Sequence, residues 1–417
     1  MHYFSTMYFS TREKRKNKFQ RSGKRNKKFG KSDFGEELTL VFPGWVDGID
    51  EKIINFLSTL QVDQRPGRYL PCLIGATTEG KKVSLGFSCF ALKIYHMLGQ
   101  WKNLDENYQN SWITFIKSFQ NVGSVTPKNS IKKNGFLDPT LIDFLESKKT
   151  PFSFRSSIKK LLKPPQPEFL NNVERAVIAE TKQALSTLAE VDKYSTEPYN
   201  WFPKTPKAVS DYMGKFDWTK PWGAGGQTAA LPVFFALEAT RNMPALKVKS
   251  LQEASSAFFK SIVDEETGGY FTGLSPDHGM LTNGAMKVLT ALAWLGEAIH
   301  YPEKLIDTIL QELPRADGCH LVDAVYVLHR CSSQTDHKHD KIINFNLSVL
   351  DMIKSHHNDD GGFSYGIGVA QKSYYGLPIS KGLYESDIHG TVLLTWALAM
   401  IFDLVDATNI QWAIIKP

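Results

Sequence analysis

The sequence predicts an all-α protein in which two concentric rings of helices form a toroid of about five or six helix pairs. Two observations lead to this prediction. Residues 268–296 and 361–400 carry the same unit, a Gly-Gly-aromatic turn followed by an irregular stretch and an apolar helix. Along the chain, amphipathic helices also alternate with helices that are apolar on every side. Repeated units of this kind stack into an array, and a circular array encloses a central cavity.

The alternation assigns each predicted helix to one of the two rings. A helix that is apolar all round is buried on every side, whereas an amphipathic helix faces solvent on one side. We predict inner helices at residues 84–98, 227–239, 283–295, 317–328 and 390–404. We predict outer helices at residues 49–60, 111–119, 169–191, 205–216, 251–263, 302–313 and 343–355. The Gly-rich residues 222–226 are predicted to form a turn before the second inner helix.

Composition and charge favour one large globular domain with a basic extension. The chain has 417 residues, 42% of them hydrophobic, which is enough for a large core. Its net charge is +6, but residues 12–31 contain eleven Lys and Arg and one Glu and so carry +10. The rest of the chain is therefore mildly acidic, which argues against a specific nucleic-acid partner. We predict a disordered basic tail at residues 1–32 and a single toroid domain at residues 33–417.

The sequence predicts no transmembrane segment. Its best apolar run, residues 392–402, is far shorter than the roughly 20 residues that span a bilayer. The N-terminus is a poor signal peptide, because its basic run follows the short apolar part. Four cysteines in the whole chain indicate a reducing compartment, so we predict a cytoplasmic protein.

Polar residues at the starts of the inner helices predict a binding site at one mouth of the cavity. The two repeats align Asn283 with His389, and the same alignment places Asp317 at the corresponding start. Inner helices that alternate with outer ones run parallel, so these starts meet, and their N–H groups and dipoles favour a charged ligand. The long aromatic stretch at residues 365–386 is expected to cover this mouth. The other residues expected at the cavity or its mouth are Trp222, Gln227, His320, Tyr374 and Tyr375.

The Gly-Gly-aromatic turn and its buried helix resemble the repeat of the terpenoid-cyclase and protein-prenyltransferase superfamily, over roughly residues 220–405. The resemblance implies an isoprenoid or other phosphorylated ligand of lipid character at the mouth. In protein prenyltransferases, an Asp-x-Cys pair and a later His hold zinc, and here Asp317, Cys319 and His389 match those positions. The resemblance therefore implies zinc as the cofactor, with three protein ligands and one open catalytic position.

The same superfamily also suggests catalytic acids. Class II terpene cyclases protonate their substrate with a D-x-D-D motif, and Asp359-Asp360 resembles its end, although the first Asp is missing. With His389 and Asp387, this pair completes the set of candidate catalytic residues. The alternative for Asp359-Asp360 is a turn, because the pair directly precedes two glycines.

Other interpretations stay open on the sequence. Asp317 and Asp387 each suit the N-cap of a helix, which is a structural role. Toroids of this architecture also serve as glycoside hydrolases and polysaccharide lyases, whose acid–base groups would come from Asp359, Asp360 or Asp387. A third class is a non-catalytic toroid that binds a ligand or a protein partner of unknown identity. Fold does not decide among these classes, whereas metal analysis and a glycan screen do.

Overall fold

The structure, a computed structural model, describes residues 43–122, 131–148, 170–407 and 411–417. Trp45–Pro417 is one compact unit, and helices make up most of its regular structure. The predicted basic tail lies outside the described residues. Among the described helices, none is long and apolar enough to cross a membrane.

Six helical segments of the described chain close into a ring, which confirms the prediction of an all-α toroid. Each segment packs against the next one along the chain, and the last packs against the first. The ring consists of α2 Leu85–Met97, α5 Asn172–Glu190, the pair α7 Pro221–Thr228 and α8 Ala230–Leu237, α10 His278–Leu295, α12 Gly318–Ser332 and α14 Ile388–Leu404. Helices α2 and α14 are buried along nearly their whole length, as their all-round apolar pattern predicts.

The other helices lie outside this ring and pack on it or on one another. They are α1 Ile49–Leu60, α3 Glu106–Lys117, α4 Pro139–Ser147, α6 Pro206–Gly214, α9 Ala245–Ser261, α11 Pro302–Ile309 and α13 His339–Lys354. Their amphipathic pattern has the expected cause. In α11, for example, Leu305, Ile306 and Ile309 are fully buried, whereas Glu303 and Lys304 on the other face are not.

One helix lies in the other ring from the one predicted. The charges of residues 169–191 indicate an outer helix, but α5 packs against α2, α7 and α8 within the inner ring. Its Glu180 is fully buried and its Lys182 is partly buried. The physical reason is that polar groups also line the centre of the ring. They give an inner helix the same alternating pattern that solvent gives an outer one.

The aromatic turn of the repeat occurs four times in the described part of the chain, whereas the sequence pattern indicates two copies. In each copy an outer helix is followed by a residue with positive φ. The aromatic residue two positions later is buried and forms a β-bridge to a residue one to three positions after the helix. The four pairs are Gly67 and Tyr69, Asn134 and Phe136, Gly268 and Tyr270, and Gly361 and Phe363. The repeat therefore extends over the first half of the chain, where only helix alternation had indicated it.

Three inner helices begin at an Asp whose side chain accepts a hydrogen bond from the N–H three residues further on. These caps are Asp277 of α10, Asp317 of α12 and Asp387 of α14. The caps, not the glycines, set the alignment of the repeats. The predicted alignment of Asn283 with Asp317 and His389 is therefore wrong. Asn283 lies more than one turn inside α10, at the position that corresponds to Asp323 of α12.

The Gly-rich residues 222–226 are helical and do not form the predicted turn. Their small size serves a close contact between helices. A Cβ atom on Gly225 would lie 2.9 Å from the Cβ of Lys287, and one on Gly284 would lie 2.6 Å from the Cβ of Pro221. Glycine at both positions therefore allows α7 and α10 to approach each other.

The two ends of the ring are covered by different parts of the chain. At one end, residues 411–417 contact the last turns of α2, α5 and α10. The N–H of Ala413 donates to Met97 O at 2.7 Å, and the N–H of Lys416 donates to Glu190 Oε1 at 2.7 Å. Since the C-terminal ends of these inner helices meet there, the helices run parallel, and their N-terminal ends form the opposite mouth.

At that mouth, residues 365–386 form an ordered segment, which we call the mouth segment. It contains a short antiparallel hairpin of β1 Ser373–Tyr374 and β2 Leu377–Pro378. The segment is fastened to residues 71–83. The N–H of Lys381 donates to Gly75 O at 2.8 Å, and the carboxylate of Glu385 accepts from the N–H groups of Ile74 and Gly75, each at 2.7 Å. It covers the part of the mouth beside α2 and α5.

Candidate functional site

A cavity of about 500 Å³ opens between the starts of α10 and α12. Its polar lining includes His278, Asn283, Arg315 and His320. Asn283 is fully buried, and neither atom of its side-chain amide has a hydrogen-bond partner among the described residues. A buried polar group without a partner costs about 1–3 kcal/mol, so such a group in a cavity points to a polar ligand or solvent.

Helix α7 adds an aromatic ring and a second unpartnered amide. The ring of Trp222 lies 5.8 Å from the ring of His320, centroid to centroid. Gln227, on the same helix, has a buried Oε1 that accepts no hydrogen bond from a described residue. His320 is held in place by Asp317, whose Oδ2 lies 2.7 Å from its Nδ1. Trp222 therefore contacts His320, and His320 and Asn283 line the same cavity.

Deeper in the ring, Asp323 of α12 faces Lys287 of α10. The Asp323 side chain is almost fully buried, its Oδ1 lies 3.9 Å from Lys287 Nζ, and its Oδ2 has no described partner. Burial raises the pKa of Asp323 to about 6, while the charges of Lys287 and His320 limit the rise. A carboxyl group with this pKa can both donate and accept a proton near neutral pH.

The other half of the mouth is filled by Tyr374 of the mouth segment. Its ring packs against Phe87 and Phe90 of α2, at 5.6 and 6.3 Å between centroids, and its hydroxyl donates to Glu180 of α5. Burial raises the pKa of Glu180 to about 8, so this carboxyl is protonated at neutral pH. Tyr375, the other predicted mouth tyrosine, contacts Tyr374 at 4.7 Å between centroids and is partly exposed.

His389 lies between two aromatic rings at the start of α14. Its ring stacks on Phe90 at 4.8 Å and on Tyr365 at 5.6 Å between centroids. Its Nδ1 donates to Gln371 Oε1 at 2.7 Å, which leaves Nε2 as an acceptor. Burial, together with the nearby charge of Lys287, lowers the pKa of His389 to about 4. The imidazole is therefore neutral at physiological pH.

Asp387, a predicted catalytic residue, organises the backbone. Its carboxylate is buried and accepts hydrogen bonds from three N–H groups, those of Gly390 at 2.8 Å, Tyr365 at 2.7 Å and Gln371 at 3.0 Å. These bonds join the start of α14 to the mouth segment. Because both of its oxygens accept hydrogen bonds from the backbone, Asp387 is a positioning residue in this arrangement.

Asp359 and Asp360, the other predicted acids, lie in the exposed turn that follows α13. Asp360 accepts from the N–H of Gly362 at 3.1 Å, and from the hydroxyl and the N–H of Ser386 at 2.6 and 3.0 Å. It therefore fastens the Gly-Gly turn to the end of the mouth segment. Neither residue lines the cavity between α10 and α12, so the structure gives them the turn role that was the alternative on the sequence.

The structure gives no support to the zinc hypothesis for Asp317, Cys319 and His389. Among the described residues, no three or more His, Cys, Asp and Glu side chains are grouped as metal ligands. Both carboxylate oxygens of Asp317 are engaged with His320. Burial raises the pKa of Cys319 to about 11, so the thiol holds its proton at neutral pH. Metal content itself stays a question for analysis of the purified protein.

Sequence reasoning missed the charged groups at the centre of the ring. Glu180, Asp323 and Lys287 each lie in an inner helix, and Lys182 is a fourth such group. Burial lowers the pKa of Lys182 to about 7, and the charges of Lys287 and Lys93 add to this effect. A signal was present, since a charged residue in the middle of a helix that is otherwise apolar all round needs a polar interior.

Comparisons with known proteins give fold-level similarity only. No family model and no curated protein matches the chain. Two solved structures are similar: a polysaccharide lyase, at 13% identity and a TM-score of 0.43 over 88% of this chain and 98% of that one, and a possible member of the GH105 family from Salmonella enterica. The latter has 10% identity and a TM-score of 0.29 over 90% of this chain and 98% of that one.

These comparisons correct the family resemblance drawn from the sequence. The similar structures are a polysaccharide lyase and a possible GH105 member, and neither is a terpenoid cyclase or a protein prenyltransferase. The assignment to that superfamily is wrong, and the isoprenoid ligand that it implied has no support from these comparisons. The aspartates near the resembling motifs have a structural role in this fold, because Asp317 and Asp387 cap helices that start at the same mouth. The carbohydrate-active alternative is the one that we develop.

Proposed function

We propose that the chain is a carbohydrate-active toroid that binds a sugar at the mouth of the ring and cleaves its glycosidic bond. The observation that carries this proposal is the set of buried polar groups without partners on three adjacent inner helices. These groups are the Gln227 oxygen Oε1, both polar atoms of the Asn283 amide and the Asp323 oxygen Oδ2. They lie on α7, α10 and α12, which are consecutive in the ring.

A sugar has the chemistry that these groups require. Its hydroxyls are both donors and acceptors, so one ring can pair with an amide NH₂, an amide oxygen and a carboxylate at once. The C–H faces of the same ring suit an aromatic surface such as that of Trp222. A cavity of about 500 Å³ is large enough for a small ligand, and its few polar groups fix the ligand's orientation.

Asp323 is the group that we assign to proton transfer. Cleavage of a glycosidic bond needs a proton for the departing oxygen, and a carboxylic acid with a raised pKa supplies it. The neighbouring Lys287 holds a positive charge 3.9 Å from Asp323 Oδ1, which stabilises the carboxylate after the proton has left. In hydrolysis, water attacks the anomeric carbon as the bond to the departing oxygen breaks. In elimination, a uronic acid loses the hydrogen next to its carboxylate as that bond breaks, and a carbon–carbon double bond forms in the sugar. The products therefore distinguish the two reactions.

The test is Asp323→Asn, assayed on a panel of neutral and uronic-acid oligosaccharides. We expect the wild type to release products from at least one of them, and the variant to be slower by about 10²- to 10⁴-fold, because it lacks the proton donor. Product formation is followed by new reducing ends and by ultraviolet absorption of an unsaturated sugar.

The control is Asp351→Asn, which removes an exposed carboxylate from outer helix α13 and should leave the rate unchanged. Circular dichroism checks that both variants are folded. Wild-type rates in Asp323→Asn would show that another group transfers the proton. Binding of a sugar by the wild type without any cleavage would leave a binding toroid and remove the catalytic part of the proposal.

A further inference from the structure

Exposed apolar side chains are concentrated on one side of the mouth. Of the thirteen large apolar side chains that are exposed among the described residues, seven lie in residues 73–74 and 367–384, two stretches that are joined because Glu385 accepts the N–H groups of Ile74 and Gly75. Tyr375, one of the seven, packs on Tyr374. We call the other six the rim patch: Leu73, Ile74, Ile367, Val369, Leu383 and Tyr384. Large exposed apolar patches generally mark interaction sites, so this one needs an occupant.

The patch is built around a fixed aromatic ring. The side chain of Tyr384 is 80% exposed, yet its ring lies directly on the backbone of Gly368. A Cβ atom on Gly368 would come within 2.6 Å of the ring, and the residue has a φ of +62°. Glycine is therefore required for both the backbone and the contact. The result is a ring that is held along one edge by the backbone of Gly368 and is otherwise exposed.

The patch adjoins the start of α12, where the candidate site opens. Val369 belongs to both the patch and a second cavity of about 340 Å³, which Tyr365 and Gly366 also line. Gly366 forms a β-bridge with Asp317, and Asp317 holds His320, which lines the first cavity. A ligand that extends from the first cavity past Asp317 therefore meets the second cavity and the rim patch.

We propose that one sugar unit of a glycan lies in the cavity and that the rim patch binds further units of the same glycan. Tyr384 is the surface on which one of these units stacks. This inference rests on the proposed function. Six partly exposed side chains fall short of the roughly 800 Å² that each partner buries in a stable protein interface. An exposed aromatic ring that is held along one edge, beside a polar cavity, matches the alternation of C–H faces and hydroxyl edges along an oligosaccharide.

The experiment measures the affinity of Asp323→Asn protein, which does not consume its ligand, for ladders of gluco-, xylo- and galacturono-oligosaccharides from mono- to hexasaccharide. We expect affinity to rise with chain length for one ladder. Adding Tyr384→Ala should reduce the affinity for the longer members roughly three- to tenfold and leave that for the shortest unchanged, because only long chains reach the ring. Gly368→Ala, which displaces the ring, should give the same pattern. The matched control is Leu246→Ala on outer helix α9, another exposed apolar residue, which should change nothing.

Four results would overturn the inference. The first is an affinity that does not depend on the length of the sugar chain. The second is a loss of affinity in Tyr384→Ala that is equal for all chain lengths. Both would leave the proposed function intact. Concentration-dependent dimerisation that Tyr384→Ala abolishes, seen by sedimentation, would assign the patch to a second copy of the chain. If the protein binds no member of any ladder, the proposed function fails as well, and the inference fails with it.

Discussion

The two halves of the mouth differ in whether protein groups already occupy it. On the side of α7, α10 and α12 there is a cavity, and Asn283 and Asp323 retain polar atoms without described partners. On the side of α2, α5 and α14 the mouth segment fills the space, with Tyr374 bonded to Glu180. Asp387, which lies on that side, has three N–H donors on its carboxylate.

This difference distinguishes a buried aspartate that stabilises the fold from one that can bind a ligand. Asp323 and Asp387 are both buried aspartates of inner helices, and burial raises the pKa of each to about 6. The hydrogen bonds that Asp387 accepts are satisfied within the chain, so its carboxylate contributes to the fold. Asp323 lacks such bonds at Oδ2, so its burial costs free energy that a ligand can recover. Removal of each carboxylate should therefore have opposite effects on stability.

The largest expected effect is at Asp387. Asp387→Ala removes the acceptor of three hydrogen bonds and leaves buried N–H groups without partners, so we expect a loss of about 3–5 kcal/mol in the free energy of unfolding. Asp277→Ala is the matched control, because Asp277 is also a helix cap but is exposed and accepts only from Met280. It should cost about 1 kcal/mol. Urea denaturation measures both, and equal losses would mean that Asp387 is only a cap.

Asp323→Asn, by contrast, is expected to increase the free energy of unfolding, by an amount that depends on pH. Since the folded pKa is raised above its usual value near 3.8, the native state loses stability as the pH rises from about 4 to about 6 and then stays at the lower level. Asp323→Asn removes this penalty and should stabilise the protein by about 1–3 kcal/mol near pH 8, because two pKa units correspond to about 3 kcal/mol and Lys287 loses its partner. Near pH 3 the variant and the wild type should be equally stable. A stabilisation of the same size at both pH values would assign the effect to packing.

The rings of the toroid could be predicted from sequence because they follow from periodicity. A helix such as α14 is apolar all round, and burial on every side is the way to satisfy it in water. The same rule failed for α5, since its Glu180 and Lys182 face a polar interior and give the pattern of a surface helix. Periodicity reports which face meets polar surroundings but not whether these are solvent or a central cavity.

The candidate site was predictable only in part, for a related reason. Trp222, Asn283 and His320 were identified from their places near helix starts; Trp222 contacts His320, and His320 and Asn283 line the same cavity. Asp323 and Lys287 were missed, because one lies on each of two helices and only the packing of α10 against α12 brings them together. Aspartates that cap helices, by contrast, can be recognised in a sequence whether or not they bind a ligand. Asp317 and Asp387 were therefore predicted as site residues although they are helix caps.

The smallest expected effect on stability concerns the contact between α7 and α10, on the open side of the mouth. Gly223 and Gly225 both lie in α7, but a Cβ on Gly223 would meet nothing within 4 Å, whereas one on Gly225 would lie 2.9 Å from the Cβ of Lys287. Gly223→Ala should stabilise the protein by about 0.5–1 kcal/mol, because alanine loses less backbone entropy in a helix. Gly225→Ala should destabilise it by about 1–3 kcal/mol, because the two helices must separate. Separation would also move Lys287 away from Asp323. Because the charge of Lys287 lowers the pKa of Asp323, that pKa should then rise. The pH profile of the reaction should therefore shift to higher pH in Gly225→Ala but not in Gly223→Ala. If both variants are equally stable and share one pH profile, the approach of α7 to α10 does not control the site.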